Sequence, residues 1–453
     1  MSHIQFLGGA GGVTGSKYLV TYKKYKILID CGLFQGARSE REKNWDRFPF
    51  SSDEIDAVVL THAHIDHCGL LPRVYAEGLK APIYSSNATK ALCEVLLPDS
   101  AMLQEEEAKF RSRKGRSRHS PPKPLYTAED AQGVLKQFKP LPIHKSHEIL
   151  PGVSVTFSHM GHILGACSAN LTLGEKTISF SGDIGRYGVP ILRDPEPIKL
   201  GDLLLVESTY GDRDHLETDV LEDLSKLAFD VYKKGGVLLV PSFAVGRTQL
   251  LLYFIRELQI KGKFPDMPII VDSPMASDAT SIYGRFPEFF DSETKSKDAF
   301  HPQNLYFVRD SNESRKLNQI DKPMVLISAS GMLSGGRILH HLYHRISDPR
   351  TILLFVGHQP KGGRGDWIQS GATSLTIFKE EKPIRARVET ISSLSAHGDR
   401  GEIIRWIKSC SGSPSKVAVV HGEEDVAQKF AEQLNKDLGL NSKAPKYTET
   451  WEV

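Results

Sequence analysis

The sequence predicts an α/β protein with more than one domain. Three observations predict it. The chain has 453 residues, more than one ordinary hydrophobic core serves, so two or three domains are expected. Apolar strands alternate with helical stretches through its middle, the pattern of a parallel sheet covered by helices. Clusters of polar, titratable side chains stand just past several strand ends, where loops collect function.

Composition narrows the class. Forty per cent hydrophobic and 25% charged residues describe a globular chain. Lys and Arg number 57 against 55 Asp and Glu, so contact with a polyanion must come from local basic patches. No apolar run approaches a membrane-spanning length, and the N-terminus lacks the basic start and apolar core of a secretory signal. Cys31, Cys68, Cys93, Cys167 and Cys410 are odd in number and form no C-x-x-C. They read as reduced thiols in a cytoplasmic setting. Cys68 adjoins a histidine loop and is expected to pack, not to ligate.

Taken in order, "SKYLVTY" and "YKILIDCG" predict a β-hairpin turning at Lys23–Lys24. "GGAGGVTGS" (8–16) is no dinucleotide loop: its glycine spacing is wrong and strands follow it. It predicts a mobile loop beside a cleft. "DAVVLT" (56–61) is a strand, "HAHIDH" the loop past its end, and a helix is expected over about 70–77. "RSRKGRSRHSPPKP" (111–124) predicts a basic loop between two helices, open equally to solvent and to RNA. Strands return at "VSVTFSH", "SANLTLG" and "TISFSGD". From residue 208, "GGVLLVPSFAVGRTQLLLYFIRELQ", "MPIIVDSPM", "KPMVLISASGM" and "TILLFVGHQ" each run from a buried-type strand into a turn. They predict the parallel sheet. His340, His341 and His344 lie on a predicted helix without a carboxylate beside them, and read as solvated surface.

The stretch H-x-H-x-D-H puts His62, His64, Asp66 and His67 within six positions. One histidine is usually a hydrogen-bonded core or surface residue, but four titratable groups at this spacing point to metal. Further candidates stand after strands: His159 and His162 in "FSHMGHILG", Asp183 in "ISFSGDIG", His421 in "VAVVHGEE". Imidazole with carboxylate suits zinc first, then iron or manganese. The set is large enough for two metals that share a carboxylate.

H-x-H-x-D-H, G-H-x-x-G and S-G-D together resemble the metallo-β-lactamase superfamily. "VESTYG" (206–211), "SAHGD" (395–399) and "VVHGE" (419–423) sharpen the resemblance to its β-CASP branch. "PSFAVGRTQ", "DSPMA", "SASGMLSGGR" and "VGHQPKGGRG" match that branch as well. Its members include RNase J and the nuclease subunit of the cleavage and polyadenylation specificity factor. The resemblance implies an αββα sandwich with an inserted Rossmann-like α/β domain: residues 1–207 and 392–453 form the first, 208–391 the second. It implies that His62, His64 and His162 hold one zinc ion and Asp66, His67 and His421 another, with Asp183 bridging. It thereby favours His162 over His159. Asp30 would steady the histidine loop. Glu207 and His397 match acidic and histidine motifs peculiar to the branch. His421 resembles the RNA-processing members; DNA-processing relatives usually carry an apolar residue there. The stretches before Asp30 and after His421 are too short for the RNA-binding domains that some relatives add, and the basic 111–124 segment has no counterpart.

Two such metals can activate water and clamp an in-line phosphoryl displacement. The implied function is a zinc-dependent ribonuclease. Asp66 would orient the nucleophile and His397, paired with Glu207, would protonate the leaving oxygen. Arg247, Ser330, Gly331, Gly335, Gly336 and Arg337 are expected to contact RNA phosphates, although glycine turns are often mere punctuation. A lactone or thioester hydrolase on the same core is the competing reading, and a catalytically dead binding subunit the third. Endo- against exonucleolytic cutting, the RNA target and a homodimer are left open.

Overall fold

Alternation of apolar side chains dictates two sheets stacked face to face. The computed structural model describes residues 2–113, 123–215, 219–294, 298–357, 359 and 362–453. These fold as two units, Met1–Asp214 with His397–Val453, and His215–Ala396. In the first unit one sheet runs in the order Thr450–Glu452, Ser2–Gly8, Lys17–Tyr22, Tyr25–Ile29, Ala57–Val59, Ile83–Tyr84. The expected hairpin is present and turns at Lys23 in a left-handed conformation (φ 54°). The other sheet runs Ser442–Lys443, Lys416–Val420, Leu203–Glu207, Lys176–Phe180, Cys167–Leu173, Val153–His159, Ser146–Leu150.

Ile4, Phe6, Val20, Ile27, Ile29 and Val59 from the first sheet meet Val155, Phe157, Ala169, Leu171, Ile178 and Leu205 from the second in one buried layer. The period of two then sends Leu204 and Val206 outward, where Ile403, Trp406, Phe430 and Leu434 of the helices Arg400–Ser409 and Glu424–Leu438 bury them. Burying one Leu or Val is worth about 1.5–3 kcal/mol, so register is strongly specified on both faces. Leu28 and Val58, on the outer face of the first sheet, are also fully buried. Helices Leu71–Ala76, Asn87–Arg113 and Ala128–Leu135 complete the αββα sandwich. The first falls within the expected 70–77 stretch. The other two stand on either side of the basic segment, but residues 111–113, expected in the loop, continue the helix Asn87–Arg113, and residues 114–122 lie outside the described set.

The second unit holds a six-stranded, wholly parallel sheet, Leu305–Phe307, Ile269–Asp272, Met324–Ser328, Val237–Pro241, Ile352–Phe355, Arg387–Thr390, and a separate antiparallel hairpin, Ser374–Ile377 with Glu380–Pro383. Both faces of the parallel sheet are covered, which is why its strands read as continuous apolar runs. One expectation fails here. His340 and His344 are exposed, but His341 is fully buried: its Nε2 lies 2.6 Å from Asp272 and its Nδ1 2.7 Å from Asn318. The helix Ile338–Arg345 turns that one histidine inward, toward a carboxylate distant in sequence. All five cysteines are unpaired, and Cys68 packs fully buried with its thiol on Ala63 O.

Candidate metal centre

The first group of polar residues is built by one strand end. After Ala57–Val59 the chain leaves the sheet through Leu60–His64 and enters a single helical turn, Ile65–Cys68. The N–H groups of His67 and Cys68 both bond His64 O at 2.9 Å, which brings Asp66 and His67 back toward His62. Asp30–Gly32, just past the neighbouring strand, grips this turn. Cys31 N donates to His67 O at 2.7 Å and Ser16 N to Asp66 O at 2.9 Å. A Cβ at Gly32 would stand 1.6 Å from Asp66 O, so the approach requires glycine. Asp30 is buried. Its carboxylate accepts from His67 Nδ1 at 2.8 Å, from Thr61 N at 2.8 Å and from Thr61 Oγ1 at 2.9 Å.

The remaining candidates arrive through sheet topology. Strands Val153–His159, Lys176–Phe180, Leu203–Glu207 and Lys416–Val420 all point the same way, so His162, Asp183, Glu207 and His421 emerge at one sheet edge. There they meet the histidine loop. His62, His64, His162 and Asp183 form one group of potential ligands; Asp66, His67 and His421 form a second. Asp183 stands between them. Its Oδ2 is 3.3 Å from both His62 Nε2 and His162 Nε2, and its Oδ1 is 3.2 Å from His67 Nε2 and 3.7 Å from His421 Nε2. His159 is buried elsewhere, with its ring 6.2 Å from that of His144.

A cation fits this donor set on three counts. Zinc bonds of about 2.0–2.1 Å in a tetrahedron place neighbouring ligand atoms about 3.3 Å apart. His62 and His64 are separated by 3.3 Å, His162 and His64 by 3.0 Å, and both Asp183 contacts by 3.3 Å. Next, His67 Nε2, His421 Nε2 and both oxygens of Asp183 are buried without a hydrogen bond, a costly state that a cation relieves. Finally, Asp30, Asp66, Asp183 and Glu207 gather carboxylates at this site, and although burial opposes it, Asp183 with Asp30 and Asp66 holds His67 and His421 above the ordinary imidazole value, an attraction for positive charge that a cation would satisfy. Burial and the neighbouring His62 drop His64 to about 3, and burial likewise lowers His62 and His162, leaving the neutral imidazoles that ligation needs. Burial favours the protonated Asp183, but His421, His67 and His62 outweigh it and hold the carboxyl well below the usual range.

His397 and Glu207 lie at the edge of these groups. His397 Nδ1 is 3.1 Å from Glu207 Oε2 and 3.9 Å from Asp183 Oδ2. Burial opposes charge on the imidazole, but Glu207 and Asp183 overcome it and push the group up to about 9. Glu207 is itself anchored, accepting from Ile184 N at 2.6 Å. Asp399 of the same "SAHGD" stretch caps the helix Arg400–Ser409 in a reciprocal pairing with Glu402, which fixes where His397 leaves the chain.

Comparison with known proteins agrees with this arrangement. Residues 10–229 match the metallo-β-lactamase superfamily model, 248–368 the Beta-Casp domain, and 381–445 the Zn-dependent metallo-hydrolase RNA specificity domain. A ribonuclease of Thermus thermophilus is 37% identical over 425 residues, spanning 92% of each chain. The transcription termination factor FttA of Methanocaldococcus jannaschii is 31% identical, over 96% of this chain and 69% of that one. The chain belongs to the β-CASP branch of the metallo-β-lactamase superfamily. A crystal structure of an Enterococcus faecalis protein of unknown function has the same fold, with a TM-score of 0.54 at 13% identity over the whole of both chains.

This β-CASP protein is therefore a metal-dependent hydrolase. In its inserted unit the expected phosphate contacts divide. Ser330, Gly331, Gly335 and Gly336 form a turn after the strand Met324–Ser328, and Arg247 opens the helix Arg247–Ile260 after Val237–Pro241. Both strands are parallel, so both turns lie at the carboxyl edge of the sheet, where ligands bind in open α/β sheets. Arg337 is committed inside the unit. Its guanidinium donates to Asp272 at 2.7 Å, to Val308 O at 3.1 Å and to Arg309 O at 2.6 Å. Among the described residues no helix is long and apolar enough to cross a membrane.

Three residues of the β-CASP site went unnoticed in the sequence. Thr61 passes the hold of Asp30 on to His62, with its Oγ1 3.1 Å from His62 Nδ1. Thr209 stands 3.0 Å from His421 Nδ1. Gly9 supplies the carbonyl that receives His421 N at 2.6 Å, so the glycine-rich loop lies beside the site. Thr61 directly precedes H-x-H-x-D-H and Thr209 lies inside "VESTYG", and that position was their only signal.

Proposed function

We propose that this β-CASP hydrolase is a cytoplasmic, zinc-dependent ribonuclease that holds two zinc ions per chain and cuts RNA internally. The observation that carries the reading is Asp183, with one oxygen turned to each histidine group. The names of the two relatives, a ribonuclease and a transcription termination factor, support RNA as the substrate and set aside the lactone or thioester. His62, His64 and His162 would hold one ion, Asp66, His67 and His421 the other, and Asp183 both. Bound there, the ions would activate water and neutralise charge on the phosphoryl group in an in-line displacement. Asp66, 3.5 Å from His421, would orient the attacking water as well as ligate. His397, kept charged by Glu207, donates a proton to the departing sugar oxygen. The inserted unit, His215–Ala396, would contact RNA phosphates through its Ser330–Gly336 turn, whereas Arg247 is buried. Arg337 would act from behind by holding that turn.

Circular and end-labelled RNA test this directly. An internally cutting enzyme linearises the circle, shortens end-labelled RNA to discrete fragments, and stops when zinc is stripped by a strong chelator. Failure to open the circle with release of mononucleotides from the labelled strand would replace the internal cut with an exonuclease. Activity that survives complete metal removal would end the zinc reading.

A further inference from the structure

We propose that Thr209 is a positioning residue of the metal centre: its hydroxyl fixes His421 in the tautomer that turns the Nε2 lone pair toward Asp66 and Asp183. The proposal rests on the two-metal reading and assigns a part of it that no ligand motif contains.

Proton counting carries the argument. Thr209 Oγ1 lies 3.2 Å from His421 O and 3.0 Å from His421 Nδ1. A carbonyl only accepts, so both contacts are hydrogen bonds only when the single hydroxyl proton points to His421 O, which Ser208 N also approaches at 3.4 Å. The same oxygen must then accept, and the only proton available to it from His421 is on Nδ1. With Nδ1 protonated, Nε2 carries the lone pair, and Nε2 is the atom 3.5 Å from Asp66 Oδ2 and 3.7 Å from Asp183 Oδ1. Two other imidazoles of the site, His67 and His62, show the same arrangement. His67 Nδ1 faces Asp30 at 2.8 Å and His62 Nδ1 faces Thr61 Oγ1 at 3.1 Å, while Nε2 of each faces Asp183.

His421 needs such a clamp more than the others. It sits in the left-handed region at φ 52°, a conformation that is strained for a non-glycine residue. Gly9 O holds its N–H at 2.6 Å, Ser208 Oγ binds the preceding carbonyl at 2.9 Å, and Thr209 ties both carbonyl and ring. Thr209 is the one of these that reaches the imidazole. Its own backbone follows Glu207 by two residues, so one short segment serves both His397 and His421.

The test compares Thr209→Val, which keeps shape and loses the hydroxyl, with Thr209→Ser, which keeps the hydroxyl. Zinc uptake is titrated against a chromogenic chelator on the full chain, and melting of the metal-free proteins is recorded alongside. The expected result for Thr209→Val is one zinc equivalent bound as in wild type and one weakened roughly 10- to 100-fold, the usual effect of losing a partner behind a ligand. Thr209→Ser should bind both like wild type. Equal zinc affinity in Thr209→Val and wild type overturns the proposal, and so does a Thr209→Ser variant as weak as Thr209→Val. If wild type itself takes up only one equivalent, the two-metal reading falls, and this inference with it.

Discussion

Asp272 predicts how the inserted unit holds its Ser330–Gly336 turn. The carboxylate is fully buried at the end of the strand Ile269–Asp272. Oδ2 receives His341 Nε2 at 2.6 Å and Ser314 Oγ at 2.5 Å, and Oδ1 receives Arg337 Nη1 at 2.7 Å. In Asp272→Asn one of these acceptor oxygens becomes an NH2 group facing a donor. Either Arg337 or the His341–Ser314 pair loses its partner, and removing one member of a buried charged pair costs about 3–5 kcal/mol. We expect a loss of about 3 kcal/mol, a factor of more than 100 in the opening equilibrium. Hydrogen exchange at the amides of Ile269–Asp272 and Met324–Ser328 reads it, because neighbouring strands of one sheet open together. The sign with pH follows from the direction of the shift. Burial tends to raise the Asp272 carboxyl, but its bonds to His341, Ser314 and Arg337 bring it below the ordinary value. The stabilisation is thus fully present above the unfolded carboxylate value of about 4 and is lost as pH falls below it. The gap between wild type and Asp272→Asn should be constant near neutrality and close in acid. Unchanged exchange in the variant at pH 7 would show that the turn does not depend on this carboxylate.

Further predictions follow from the first unit and from the basic segment. Asp183→Ala should lose both zinc ions by elemental analysis, whereas Asp66→Ala should keep one; retention of one ion by Asp183→Ala removes the bridging role. His397→Ala should slow RNA hydrolysis roughly 10²–10⁴-fold with zinc still bound, and slow a nitrophenyl phosphodiester far less, because that leaving group needs little protonation. Equal losses on the two substrates mean that His397 is not the acid. Neutralising Arg111, Arg113, Lys114, Arg116 and Arg118 should flatten the salt dependence of RNA binding and leave the rate at saturating RNA nearly unchanged. An unaltered slope returns that segment to ordinary solvated surface.

Much of the site was legible in advance because its residues cluster in sequence or stand in short fixed strings. His62, His64, Asp66 and His67 need only one turn to meet, so their spacing already carries the chemistry. Apolar runs in the second unit announced a parallel sheet because both faces of each strand are buried. His341 was misread because a helix pattern does not reveal what the inner face will meet, and Asp272 lies 69 residues away. Arg337 was legible as a phosphate contact only while its partners were unknown. Thr61 and Thr209 carried no signal of their own, since a hydroxyl beside or inside a motif is ordinary until a ring nitrogen is found next to it.

By itself, then, the sequence determined the family, the α/β class and the donor types, because these depend on residue identity and on local period. Tertiary structure decided which donors share a space. Four strands running in one direction bring His162, Asp183, Glu207 and His421 to one edge, although 259 positions separate the first from the last. That convergence depends on strand order, which no local pattern encodes. Tertiary structure also chose His162 over His159 on geometric grounds, turned one Asp183 oxygen to each group, and set the tautomer of His421 through a hydroxyl. Such choices turn on distances of about 3 Å between residues remote in the chain, where hydrogen bonds and ligand spheres are made or lost.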